Sequence, residues 1–350
     1  MDRYCFNVDW YDQHAHITRP YHLFVFPGEG CAEMYDIKNR RTFLKKSRCD
    51  LPLEQLRPGN AITILSRQLI VKDYGDEYTR LNLAQQLQKS LLIVQGSAIP
   101  QFGSLLDDLL SRAFVLSRLR LTSPTQAIVT IMGSKTSNNT SVIAELERAD
   151  AVHQLMSAVA ECCKRLAIAD DCIHVSKSVQ SAGKELDEVF SERALRSIPR
   201  TARFTNSTLC LIKPHAVTSG LTGQIFDAIV QGPGAYEISD MELFNVEKTN
   251  AEEFLEVYKG VSPEYHHMVE QISSGPLVAL EIASGKSSSD IVPDFREFCG
   301  PSDPSLARQL RPESLRARFG KDRIQNAVHC TDLPEDGPLE VLYFFKILAS

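Results

Sequence analysis

The chain has 350 residues, is 43% hydrophobic and 23% charged, and carries a net charge of -6. That is globular composition, long enough for two or three domains, and the mildly acidic balance gives no general drive toward DNA or an anionic membrane. No apolar run approaches the roughly 18 residues that span a bilayer, and the opening MDRYCF is charged at once, without the apolar stretch of a secretory signal. Nine cysteines, with no CxxC pair and no metal-ligand spacing, point to reduced, mostly packed thiols in a cytosolic-type compartment.

Residues 1–88 predict a small β-rich domain. YHLFVF (21–26) ends at a Pro/Gly turn, CAEMYDI alternates into a polar stretch at 38–41, and NAITIL and RQLIVKDYGD follow a Pro58-Gly59 turn. The basic run KNRRTFLKKSR (38–48) reads as a solvated loop, or else as a surface that steers acidic partners. LNLAQQLQK (81–89) reads as a helical or loose linker.

The remainder contains a partial repeat, which weighs more on architecture than any local motif. KSLLIVQGSAI (89–99) is echoed by STLCLIKPHAV (207–217), each an apolar strand with a polar break followed by an amphipathic helix. A second echo pairs DCIHVSKSVQSAGKELDEVF with NAVHCTDLPEDGPLEVLYFF, so that His174, Ser176 and Glu185 repeat the spacing of His329, Thr331 and Glu340.

The second copy reads as strand 207–213, helix 221–231, strand 235–246, helices near 251–258 and 263–274, strand 276–283, and a helix in DIVPDFREFCG. That order predicts an α+β, ferredoxin-like (βαββαβ) antiparallel sheet covered by helices. Three domains are expected: 1–88, 89–200 and 204–350.

The chemistry-bearing side chains fall in the last of these. Lys213 precedes Pro214, which ends its strand and places the lysine at a sheet edge. Arg296 lies on a helix, and Arg316 in the Pro-rich, irregular-looking GPSDPSLARQLRPESLRARFG. Lysine, arginines and a hydroxyl suit phosphate oxygens, a neutral imidazole such as that of His329 can accept a phosphoryl group, and Glu340 can orient the ring. Singly, each signal is weak: a lysine after a strand is usually solvated, and a lone histidine is usually packed.

A resemblance assembles them. TLCLIKPHAV, SGPLVALEI, FREFCGPSDP, SLRARFG and NAVHCTD, in this order, resemble nucleoside diphosphate kinases. In that family a histidine takes a phosphoryl group from a nucleoside triphosphate and passes it to a diphosphate. The resemblance implies His329 as that nucleophile, with Thr331 and Glu340 supporting it. It implies phosphate or nucleotide contacts from Lys213, Tyr258, Arg296, Ser302, Arg316 and Asn326, substrates of the ATP/GTP and nucleoside diphosphate class, and Mg2+ carried with the nucleotide rather than in a protein cage. Three departures stand out: KPH at 213–215 where the family has KPD, Ser302 where it has Thr, and Glu264 where it stacks the base on Phe.

Residues 90–200 resemble the same fold in worn form. Gln95 stands in place of the lysine and Asp171 in place of the asparagine, and no equivalents of Arg296 and Arg316 are apparent, so His174, Ser176 and Glu185 are expected to be a relic site. The shortening is expected between FVLSRLRLTSP and QAIVTIMG. The first segment resembles a DM-type domain, and the three-part order resembles an axonemal subfamily of the kinases. This implies the cytoplasm and the cytoskeleton of cilium or flagellum, with tubulin and other doublet-microtubule proteins as partners and neither DNA nor membrane. Three functions stay open: phosphotransferase, structural microtubule-stabilising protein, and nucleotide-binding module without turnover.

Overall fold

The computed structural model describes every residue except 1–2, 13–14, 16, 50, 54–55, 57, 59, 66, 84–86, 134–139, 235, 285–289 and 350. The expected turn residue Gly59 and the middle of the 81–89 linker lie outside the described residues. The chain divides into two compact units, residues 1–87 with 273–275, and residues 88–272 with 276–350.

The first unit is one antiparallel sheet of β1 (Tyr4–Asp12), β2 (Ile17–Phe26), β3 (Cys31–Asp36), β4 (Arg41–Arg48), β5 (Ala61–Ile64) and β6 (Arg67–Tyr74). Its strand order is β4-β3-β2-β1-β6-β5. Strict alternation along β3 buries Ala32 and Met34 on one face, where they join Phe6, Tyr21, Leu23 and Leu69 in the core. The basic run is not a loop. Residues 37–40 make a turn whose carboxylate, Asp36, accepts from the Asn39 N–H at 2.8 Å and the Asn39 side-chain amide at 2.8 Å. The rest of the run is the edge strand β4, and cationic side chains on an edge discourage strand-to-strand association.

The second unit is one antiparallel sheet of eight strands. The first four are β7 (Gln88–Gln95), β8 (Val115–Thr122), β9 (Ser141–Arg148) and β10 (Ile173–Val175). The others are β11 (Ser207–Ile212), β12 (Tyr236–Asn245), β13 (Pro276–Ser284) and β14 (Val328–Cys330). Their order, β10-β7-β9-β8-β12-β13-β11-β14, places the same four-strand arrangement twice, in mirror sequence, with the two second strands side by side. Glu242 of β12 lies opposite Arg120 of β8 at that seam.

Helices Phe102–Ser111 and Thr222–Val230 cross beneath the seam. Phe102 and Phe226 meet edge to face at 5.5 Å, Ser104 donates to Asp227 at 2.5 Å, and Gln224 donates to Asp107 at 2.9 Å. Glycines permit this approach: a Cβ on Gly103 would come within 2.6 Å of the Gly223 carbonyl, and one on Gly223 within 2.4 Å of the Gly103 carbonyl. One apolar core therefore runs under both halves, while the opposite face carries a separate cluster in each.

The shortening of the first half falls in two places. QAIVTIM is a helix, Gln126–Met132, whose N-terminus Thr125 caps by accepting from the Ile128 N–H. Residues 123–140 stand where the second half has 246–275, and residues 149–172, mostly the helix Ala151–Leu166, stand where it has 285–327. Among the described residues no helix is long and apolar enough to cross a membrane. The nine cysteines are free thiols, most of them buried.

Candidate functional site

His329 sits on the edge strand β14, whose three residues are all buried. Its Nε2 lies 3.0 Å from Oε2 of Glu340, which projects from the helix Gly337–Leu342. A carboxylate only accepts, so Nε2 carries the proton and Nδ1 keeps its lone pair. The Thr331 hydroxyl donates to the same oxygen at 2.9 Å and accepts from the Leu209 N–H of β11 at 3.3 Å. The Phe254 ring meets the imidazole edge to face at 5.2 Å. The ring is thus held from two sides, with one nitrogen left nucleophilic.

A cleft of about 360 Å3 opens beside it, lined among others by Lys213, Tyr258, Glu264, Arg296, Ser302, Arg316, Asn326 and Asp332. Lys213 is not at a sheet edge. It directly follows β11, which lies between β13 and β14, and is only 7% exposed. Its ammonium donates to the Ile324 carbonyl at 3.0 Å. Burial, reinforced by the Arg316 guanidinium, brings its pKa down to about 7.

Arg316 is not in irregular chain. It lies on the short helix Leu315–Phe319 and is buried. Its guanidinium donates to the Val328 carbonyl at 3.2 Å and the Gly300 carbonyl at 2.8 Å. Arg296, on the helix Ile291–Cys299, donates to the Asp332 carbonyl at 3.1 Å and pairs with its carboxylate at 3.3 Å. The Tyr258 hydroxyl donates to the other oxygen of Asp332 at 2.5 Å. Asn326 donates to the Ser302 carbonyl at 2.9 Å, and its own Oδ1 is buried without a partner. The fold therefore gathers all six residues expected to contact nucleotide, together with His329, around one cavity. A hollow of about 800 Å3 elsewhere on the unit, lined by Gln224, Phe298 and Arg311, is larger but shallow and brings no nucleophile together.

Four contributors escaped the reading of the sequence. His215 is buried, and its Nε2 accepts from the Ala327 N–H at 3.2 Å, holding Ala327 at φ +70 next to Asn326. Burial and neighbouring Lys213 bring its pKa down to about 4, so the neutral acceptor form is kept. The KPH departure was the available signal. Asp332, which ties Tyr258 to Arg296, and Arg323, paired with Glu264 at 3.1 Å, gave none. Nor did the buried Cys330 thiol, which neighbouring Cys299 and the Arg316 guanidinium hold below its ordinary value.

The first half of the eight-stranded unit has one part of this arrangement. His174 Nε2 lies 3.0 Å from Glu185, Ser176 donates to the same oxygen at 2.6 Å, and the Leu91 N–H donates to Ser176 at 3.2 Å. The other part is missing. Gln95 is buried and donates to Ser141, Asp171 is exposed, and the connection that carries Ser302 and Arg316 is replaced by the helix Ala151–Leu166.

The "Nucleoside diphosphate kinase homolog 7" of Rattus norvegicus is 39% identical over 99% of this chain and 94% of its own length. The chain belongs to the nucleoside diphosphate kinase family. The family's domain model, "Nucleoside diphosphate kinase", matches residues 206–348, the half that holds the cleft. The "Nucleoside diphosphate kinase" of Aquifex aeolicus is 35% identical over 40% of this chain and 93% of itself. A crystal form of the Aquifex aeolicus enzyme aligns over 41% of this chain and 97% of its own, at 34% identity and a TM-score of 0.37.

Proposed function

We propose that residues 204–350 act as a nucleoside diphosphate kinase, moving the terminal phosphoryl group of a nucleoside triphosphate to a diphosphate through phosphohistidine. What carries the reading is the pinned imidazole: Nε2 on Glu340, Nδ1 free beside buried Lys213 and Arg316. In the first half-reaction Nδ1 attacks the terminal phosphorus, the P–O bond to the departing diphosphate breaks, and Lys213, Arg296 and Arg316 hold the oxygens as charge redistributes. Glu340 steadies the ring as it becomes cationic. The reverse attack by a diphosphate oxygen restores the free histidine. Among the described residues no three His, Cys, Asp or Glu side chains gather as a metal cage. The cleft's donors are mostly cationic or amide groups, which suit a Mg2+ that arrives coordinated by nucleotide oxygens and neutralises their charge.

Incubation with ATP labelled at the terminal phosphate should give an acid-labile phosphoprotein, and His329→Ala should abolish it. Labelling that survives this change sinks the assignment.

The wider reading places this kinase half in a ciliary or flagellar doublet microtubule. It takes residues 1–88 as a DM-type domain and 89–200 as a shortened kinase fold with a relic site. Tubulin and its associated proteins are the proposed partners, and the cytoskeleton of the axoneme is the proposed location. Support comes from a half that keeps its fold and seam but lacks the phosphate-holding residues, as a structural role allows. Axonemes from which the protein washes out in mild salt would refute this. A nucleotide-binding module without turnover is the remaining alternative, motivated by Glu264. It predicts binding without phosphoenzyme.

A further inference from the structure

The cleft is not uniform along its length. At its closed end His329, Lys213 and Arg316 are each less than a tenth exposed. At its mouth the Glu264 and Arg323 side chains are 33% and 60% exposed. Phosphates belong with the buried cations, so the nucleoside is directed to the mouth, between Ser262, Glu264, Met268 and Arg323. Among the described residues, none of these four is aromatic. Tyr265, next to Glu264, is buried in the core and donates its hydroxyl to the Glu252 carbonyl at 3.3 Å.

What the mouth offers instead is an oriented carboxylate. Arg323 Nη1 contacts Oε1 of Glu264 at 3.1 Å, which fixes the carboxylate and leaves its other oxygen free to accept. The main chain of the same arginine is tied to the phosphate loop, since its carbonyl accepts from the Asn326 amide at 3.2 Å.

We infer that the Glu264–Arg323 pair selects guanine among the bases. The inference rests on the kinase reading and deepens it. Guanine presents two adjacent donors, N1–H and the 2-amino group, which a carboxylate can accept together. Adenine sets an acceptor, N1, beside its amino group. Cytosine sets N3 beside its amino group, and uracil flanks its single N–H with two carbonyls. Each of these turns a lone pair toward Glu264, and an acceptor facing a carboxylate is penalised. Arg323 adds a planar guanidinium that can lie against a purine or reach its 6-oxo group.

The test is a calorimetric titration of the full chain with the Mg2+ complexes of GDP, IDP and ADP, repeated on Glu264→Gln. GDP should bind about tenfold or more tightly than ADP. IDP, which lacks the 2-amino donor, should fall between them. Glu264→Gln, which puts an amide donor where the carboxylate accepts, should bring the GDP-to-ADP ratio toward one. A merely structural role for Glu264 would weaken both ligands together and leave the ratio unchanged, and that result overturns the inference. Equal binding of GDP and ADP by the native chain, with phosphoenzyme still forming on His329, overturns the inference and spares the kinase reading. No binding and no phosphoenzyme with any nucleotide overturns both.

Discussion

Lys213 should take up a proton when nucleotide binds. In the free protein its pKa is about 7, against an ordinary 10.5, because burial and Arg316 disfavour its charge. Phosphate oxygens placed beside it reverse that balance and hold it charged well above pH 9. At pH 8 the free site is then only about one-tenth protonated, so binding should draw about 0.9 proton per nucleotide from the buffer. At pH 6 the figure should be about 0.1. Affinity should fall with rising pH, approaching tenfold per unit above pH 7. The sign for stability is the opposite. Between pH 7 and about 10 the unfolded lysine binds a proton that the folded one lacks, so the nucleotide-free protein gains up to about 1.4 kcal/mol per unit as pH rises.

Calorimetry of nucleotide binding at pH 8, in buffers of widely different ionisation enthalpy, reads the proton count directly. The terminal phosphate is fully ionised at that pH and contributes nothing. Lys213→Met should remove both the uptake and the pH slope of affinity. A proton count near zero at pH 8 in the native protein refutes the reasoning.

Further outcomes can be checked independently. Glu340→Gln should leave the cleft intact but loosen the tautomer of His329, slowing phosphoenzyme formation by about 10^2-fold or more in a rapid-quench assay. His174→Ala should leave phosphoenzyme yield unchanged, and peptide mapping at neutral pH should find no label at His174. Gly103→Val pushes a side chain into the Gly223 carbonyl and Asp227, and should cost roughly 2 kcal/mol or more of unit stability in denaturant unfolding. Glu281 is fully buried and accepts from the Arg203 and Phe204 N–H groups and from the Ser207 and Ser239 hydroxyls. Glu281→Ala strands four donors and should cost about 3–5 kcal/mol, read in the same way.

Local pattern made much of this architecture legible. The second half's four-strand core and most of its expected helices lie within a residue or two of their expected places, since its apolar runs are bounded by Pro, Gly and capping residues, while the helix expected near 251–258 starts three residues earlier, at Lys248. The Arg316 segment misled because a proline-rich run suggests broken chain. Its prolines start and stop two short helices, Pro304–Leu310 and Leu315–Phe319, rather than forbid them. Lys213 looked like an edge residue because sequence shows where a strand ends but not how many neighbours flank it. The contacts of His215, Arg323 and Asp332 span long stretches of chain and leave no local trace.

The seam between the two four-strand halves changes what each half must do. Partners that meet from solution must be held by the strength of their contact alone. Halves joined by the short segment after residue 198 meet at an effective concentration in the millimolar range, so a modest interface suffices. Each half also has a fixed, non-identical mate, which frees it from having to match a copy of itself. Substitutions in one active cleft are then never imposed on the other. Gly103 and Gly223 must both stay small for the two helices to meet, whereas Gln95 and Asp171 take no part in that seam. A single chain thereby keeps the scaffold of a pair while gathering the lysine, arginines and histidine of the cleft on one member.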